Sequence, residues 1–224
     1  KKTAEKVPMG EFIEIPFLQD FAATPMLAYT RFGKWNEILT IPAPNSEIKH
    51  LSLIRHYARG IAFIRKGNIN DAQEELNAIG KLKNDPELET LVATANNASI
   101  HTANIAYEVV AGELEALKGN IPKAIEHLEN AVIFEDELTY TEPAAWHIPT
   151  RQNLGAVLLK AEKFDAAEKI YKEDLDILRQ NGWSLKGLYK SLIAQGKNKE
   201  AEIIKKEFNS AWKNADIEID NSVL

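Results

Sequence analysis

The stretch Gly119-Asn120-Ile121-Pro122-Lys123-Ala124 decides the reading of this chain, because it stands between two apolar helical stretches and recurs. Its counterparts are Gly33-Lys34-Trp35-Asn36-Glu37-Ile38, Gly67-Asn68-Ile69-Asn70-Asp71-Ala72, Glu162-Lys163-Phe164-Asp165-Ala166-Ala167 and Gly196-Lys197-Asn198-Lys199-Glu200-Ala201. Each copy closes one helical stretch and opens the next, which predicts the turn of a helical hairpin. A hairpin that cannot bury its apolar face alone stacks on copies of itself, so the repetition predicts an array. Such an array fixes how a surface is built and says less about what sits on it.

The turns at 33, 67, 119, 162 and 196 are 34, 52, 43 and 34 residues apart. Thirty-four residues is the tetratricopeptide period, with a small residue midway along the first helix and an Ala early in the second. Gly60, Gly112 and Gly155 are each followed twelve positions later by Ala72, Ala124 and Ala167. Leu76, Leu128 and Tyr171 stand four after each Ala and, with Leu114, Leu154, Phe164 and Leu188, read as interhelical core. The predicted fold is all-α, a right-handed superhelix of tetratricopeptide-like hairpins at 21–44, 48–82, 99–134, 147–180 and 182–213. An N-terminal extension, 1–20, and a tail, 214–224, flank it. The longer intervals predict an added helix over 85–98, started at Asn84-Asp85-Pro86-Glu87, and an ordered, proline-marked loop over 135–146. Tyr189 stands where the other repeats have Gly, as in a looser terminal hairpin.

Composition excludes several function classes. The 33 acidic against 27 basic residues, a net charge of -6 and no long Lys/Arg block argue against a nucleic-acid partner. No apolar run approaches the roughly 20 residues of a membrane helix, so no membrane partner is expected. With no cysteine there are no disulfides, thiolate metal sites or thiol nucleophiles, and the compartment, cytoplasmic or periplasmic, stays open. The chain opens Lys1-Lys2-Thr3 without an initiator Met or an apolar signal core, which predicts a piece of a longer protein or a processed form.

Several motifs carry the resemblance. They are Arg31-Phe32-Gly33-Lys34-Trp35-x-Glu37-Ile38-Leu39, Tyr140-x-Glu142-Pro143-x-x-Trp146-x-x-Pro149-x-Arg151-x-x-Leu154-Gly155, Tyr171-x-Glu173-Asp174-Leu175, Asn181-Gly182-Trp183-x-Leu185-x-Gly187-Leu188 and Ala211-Trp212-x-x-Ala215-Asp216. From about Pro25 onward the chain resembles the C-terminal part of a family of large bacterial tetratricopeptide-repeat proteins. The resemblance implies an all-helical right-handed superhelix and no agreed biochemical activity. Arg179 departs from it, standing where the family tends to have proline. The histidine-rich segment that such proteins often carry upstream is not in this sequence.

In an array of this kind the first helix of each hairpin lines the concave face. Counting from the small residues places Tyr57, Ile61 and Ile64, Val109 and Glu113, Gln152 and Leu159, and Trp183, Lys186 and Lys190 on that face. An apolar groove with a basic end suits an extended or helical peptide with an acidic group near Lys186 and Lys190. Equally, the loop 135–146 or the tail 213–224 covers that face from within. A second cluster, Tyr140, Glu142, Trp146 and Arg151, reads as a structural lock in which Arg151 pairs with Glu142, or as a ligand-recognition group.

The five histidines, His50, His56, His101, His127 and His147, include no His-x-x-x-His pair, and Glu47 with His50 supplies only two ligands, so no metal or cofactor is expected. His56 is expected to face the neighbouring hairpin. No nucleophile elbow, phosphate loop or dinucleotide fingerprint appears, and no catalytic residue is assigned. The reading is a non-enzymatic protein-interaction scaffold binding a peptide or partner domain on its concave face, of open oligomeric state. Its alternative is a segment of a larger enzyme or of a metal- or small-molecule-binding protein whose active part lies upstream.

Overall fold

A computed structural model describes residues 9–94 and 96–224. Among the described residues, after a 3-10 turn at Met9–Glu11, come eleven α-helices: α1 (Leu18–Arg31), α2 (Trp35–Leu39), α3 (Lys49–Arg65), α4 (Ile69–Lys83), α5 (Glu87–Thr90), α6 (Ser99–Leu117), α7 (Ile121–Asp136), α8 (Thr150–Lys160), α9 (Phe164–Ile177), α10 (Gly182–Ala194) and α11 (Asn198–Ala211). The described residues contain no β-strand, only an isolated bridge between Thr94 and Asn97.

The five turns share one geometry. Gly33, Gly67, Gly119 and Gly196 have positive φ, and Glu162 holds the same conformation with φ 58. In each turn the next residue donates its N–H back to the carbonyl five positions earlier, as Lys34 does to Tyr29, Asn68 to Phe63, Asn120 to Glu115, Lys163 to Leu158 and Lys197 to Leu192. These bonds satisfy carbonyls that the ending helix leaves without partners, and the left-handed residue required is the reason four of the five copies carry Gly.

The chain divides into two units, the first ending at Ile148 and the second spanning Pro149–Leu224. In the first, α3 pairs with α4 and α6 with α7, while the first helices α1, α3 and α6 stand side by side and α4 packs on α6. The core runs through Leu53, Ile54, Ala58, Ile79, Ala106 and Leu114. The notch at Gly112 fits its role: a Cβ there would lie 2.7 Å from Leu128 Cγ. In the second unit α8 pairs with α9 and α10 with α11, and α9 and α8 both pack on α10.

Two expectations are corrected. The added helix over 85–98 is a single turn, α5, after which Leu91 turns extended and Asn96 takes φ 57, so the helix ends within one turn of its Pro86 start. In the terminal hairpin the close approach is made by Gly187 rather than at Tyr189. A Cβ on Gly187 would overlap the Tyr171 ring, as would one on Gly155, so Tyr171 lies between two glycines. The first hairpin forms as α1 and α2, and α9 ends at Ile177, before Arg179.

Candidate functional site

Spacing places Tyr57, Ile61 and Ile64 on one face of α3 and Val109 and Glu113 on the facing helix α6, and the structure brings these residues together. They are buried rather than open: Tyr57 is 1% exposed, and Ile61, Ile64, Val109 and Glu113 are likewise covered. Over Tyr57 the loop after α7 contributes to the cover. Trp146 meets the Tyr57 ring edge to face, with centroids 4.9 Å apart, and is itself 3% exposed.

Charge is buried on the same face. Arg65, one turn beyond Ile61, donates from Nη1 to Glu113 Oε2 at 2.7 Å. Burial pushes the Tyr57 hydroxyl well above its ordinary range, and the Glu113 carboxylate adds to the effect while Arg65 and Arg31 oppose it. The Trp146 indole N–H is buried without a hydrogen-bond partner. Arg65 escaped the sequence reading, although counting on by four from Tyr57 and Ile61 finds it.

The loop is held at its base by Asn97, which donates from Nδ2 to the Thr139 carbonyl at 3.0 Å and accepts the Thr139 N–H at 2.9 Å. Glu142 accepts the Tyr140 hydroxyl, and Arg151 lies 3.8 Å from Glu173. Glu142 and Tyr140 are exposed, so the lock is made by Asn97 and Trp146. Asn97 was visible in the sequence only as part of a helix break.

In the second unit the tail does the covering. Ser222 Oγ donates to the Gln152 carbonyl at 2.8 Å and lies 2.7 Å from the Tyr171 hydroxyl, which therefore donates to it. Gln152, fully buried, donates from Nε2 to Ser184 Oγ at 3.0 Å and to Asp174 Oδ2 at 3.2 Å, and Ser184 donates to Asp174. Trp183, expected on an open face, is covered because Trp212 folds against it edge to face at 5.5 Å, a position open to Trp212 because residue 182 has no side chain. Lys186 lies over the Phe208 ring at 5.3 Å, Leu159 is half-buried and Lys190 is exposed. Ser184 and Ser222 had no sequence signal beyond their polarity, and Asp174 stood out only within the motif Tyr171-x-Glu173-Asp174-Leu175.

Three of the five histidines hold structural contacts. His50 is buried, with Nδ1 3.0 Å from Ser99 Oγ, Nε2 3.7 Å from Asp20 Oδ1 and its backbone N–H on Gln19. Glu47 lies before α3, so the expected shared helix face does not exist. His56 bonds Glu75 of its own hairpin at 2.6 Å rather than facing the next, and Arg59 donates to the same carboxylate at 2.6 Å. One hairpin later the pair recurs with its partners exchanged, Glu108 on the first helix and His127 on the second, again at 2.6 Å. Burial would raise the Glu75 carboxyl, but the hydrogen bonds from His56 and Arg59 hold it below its usual range. Burial pushes His147 down, against the pull of Asp20. Among the described residues no group of three or more His, Asp or Glu is placed to hold a metal ion, and no helix is long and apolar enough to cross a membrane.

No family model, curated protein or solved structure matches the chain.

Proposed function

We propose that this chain is a protein-interaction scaffold whose hairpins stack within each unit in the tetratricopeptide manner. Its partner is a peptide or an extended segment of another protein that takes the place of the chain's own cover on the first-helix, concave face. The observation that carries the reading is the Tyr57–Trp146 contact. A loop side chain packs on Tyr57 of α3, and it does so with an aromatic ring, the side-chain type that supplies much of the energy of peptide docking. An indole N–H left without a partner weakens the hold of the resident occupant, because a buried donor without an acceptor costs about 1–3 kcal/mol. A partner that offers an aromatic side chain and also satisfies its polar atoms competes on favourable terms. Buried charge at Arg65 and Glu113 selects among such partners, since an unmatched charge brought there is costly.

The test supplies the cover in trans. The Trp146→Ala variant, checked for helicity by circular dichroism, is titrated with a synthetic peptide spanning residues 139–148, and binding is read by calorimetry and by NMR shifts at Ile61 and Val109. The expected result is saturable binding to the variant, none to the wild-type chain, and none of a peptide with Ala at the Trp position. If Trp146→Ala does not fold, Asn97→Ala serves as the opened chain. A folded, opened chain that binds no peptide removes the proposal.

A further inference from the structure

Helix α1 turns a second apolar surface outward, separate from the faces covered by loop and tail. Phe17, Phe21, Thr24, Ala28 and Phe32 are spaced to fall on one stripe of a 3.6-residue helix, and all five are exposed, the three phenylalanines at 51%, 53% and 51%. Phe17 and Phe21 already meet edge to face at 5.9 Å. The stripe is large at both ends and small in the middle, and the exposed charges that border it differ in sign. Glu14 lies one turn before Phe17 and Lys34 just after Phe32.

We infer that this stripe is the contact surface of a homodimer in which α1 packs antiparallel on α1 of a second copy, about a two-fold axis near Thr24 and Pro25. That register sets Phe17 opposite the second copy's Phe32, an aromatic pair at each end of the contact, and Phe21 opposite the second copy's Ala28. It also sets Glu14 of each copy near Lys34 of the other. Matching of apolar and of opposite charged groups under one two-fold is the signature of an isologous contact. The size fits a weak association. Half-exposed phenyl rings of roughly 200 Å2 each, with Ile13, supply about 400 Å2 per copy, half of the ~800 Å2 per partner of a standard interface, so a weak, concentration-dependent association is expected.

Sedimentation velocity of the 224-residue chain between about 10 and 500 μM tests this. Wild type should pass from monomer to dimer over that range. Phe17→Ser with Phe21→Ser should weaken the association at least about tenfold with an unchanged circular dichroism spectrum, because both side chains are half in water. Glu14→Lys alone should weaken it several-fold, and adding Lys34→Glu should restore it, which a loss through misfolding would not do. A monomer at every concentration, or a dimer indifferent to the phenylalanine and charge substitutions, overturns the inference; the first outcome would leave the stripe to a different chain.

Discussion

Asn97 and Thr139 exchange two hydrogen bonds, at 3.0 and 2.9 Å, across 42 residues of sequence. One side chain amide thereby closes the base of the loop that carries Trp146 onto Tyr57. Because Asn97 is 3% exposed, losing its amide leaves the Thr139 N–H and carbonyl without those partners. Asn97→Ala should lower the unfolding free energy by about 1–3 kcal/mol in urea titrations. The Thr139 amide should exchange with solvent faster than the amides of α6, which measures release of the loop rather than global opening.

Glu162 occupies a left-handed position, φ 58, that the other four hairpin turns give to Gly. An L side chain there costs roughly 1 kcal/mol of steric strain, and the Glu162 side chain is exposed to solvent. Glu162→Gly should therefore raise stability by about 0.5 kcal/mol after the added entropy of the unfolded chain, read as a higher midpoint in thermal unfolding.

Two glycines should respond with opposite severity to the same substitution. Gly187 in α10 lies against the Tyr171 ring, which is fixed by its bond to Ser222 and by Gly155 on its other side. Gly187→Ala should cost at least about 2 kcal/mol by overpacking. At Gly80 in α4 the nearest atom to an added Cβ is the edge of Tyr107, 3.3 Å away. There the roughly 1 kcal/mol helical advantage of Ala over Gly offsets the crowding, and Gly80→Ala should stay within about 0.5 kcal/mol of wild type.

Glu168 ties α9 to the end of α10 and the start of α11. Burial would raise its carboxyl, but Lys172, Lys197 and Gln195 donate to it and hold it down at about 2. A carboxyl held below its unfolded value of 4.5 stabilises the fold fully above that pH, and the contribution disappears as pH falls from about 4.5 through 2. Wild type should lose stability more steeply over this window than Glu168→Gln, and the two curves should converge toward pH 2. Parallel curves in urea titrations between pH 5 and pH 2 would contradict the assignment.

Much of this was legible in the sequence, and the parts that were not have a common cause. Hairpin turns announce themselves because a left-handed Gly and the apolar period around it are local properties, and α3, α4, α6 and α7 follow from them. Counting by helical period singled out Tyr57, Ile61, Val109 and Glu113, and all four are buried. What covers them was left open between a bound partner and the chain itself, because Trp146 and Ser222 act through packing over long separations, 70 residues between Ser222 and Gln152, and leave no periodic trace. The same holds for Trp183: its helical position was readable, but Trp212 folding over Gly182 was not. Residues 85–98 misled because Asn84-Asp85-Pro86-Glu87 starts a helix well while nothing local says that it stops at Thr90.

The central claim is that the Tyr57 face is held closed by a removable part of the same chain. Nuclear Overhauser contacts between the Trp146 indole and the Tyr57 ring, recorded on the wild-type chain and again on Asn97→Ala, measure this directly. The account predicts strong contacts in wild type and clearly weakened ones in the variant, with the helices intact by circular dichroism. Contacts absent from wild type, or undiminished when Asn97 is removed, would contradict it.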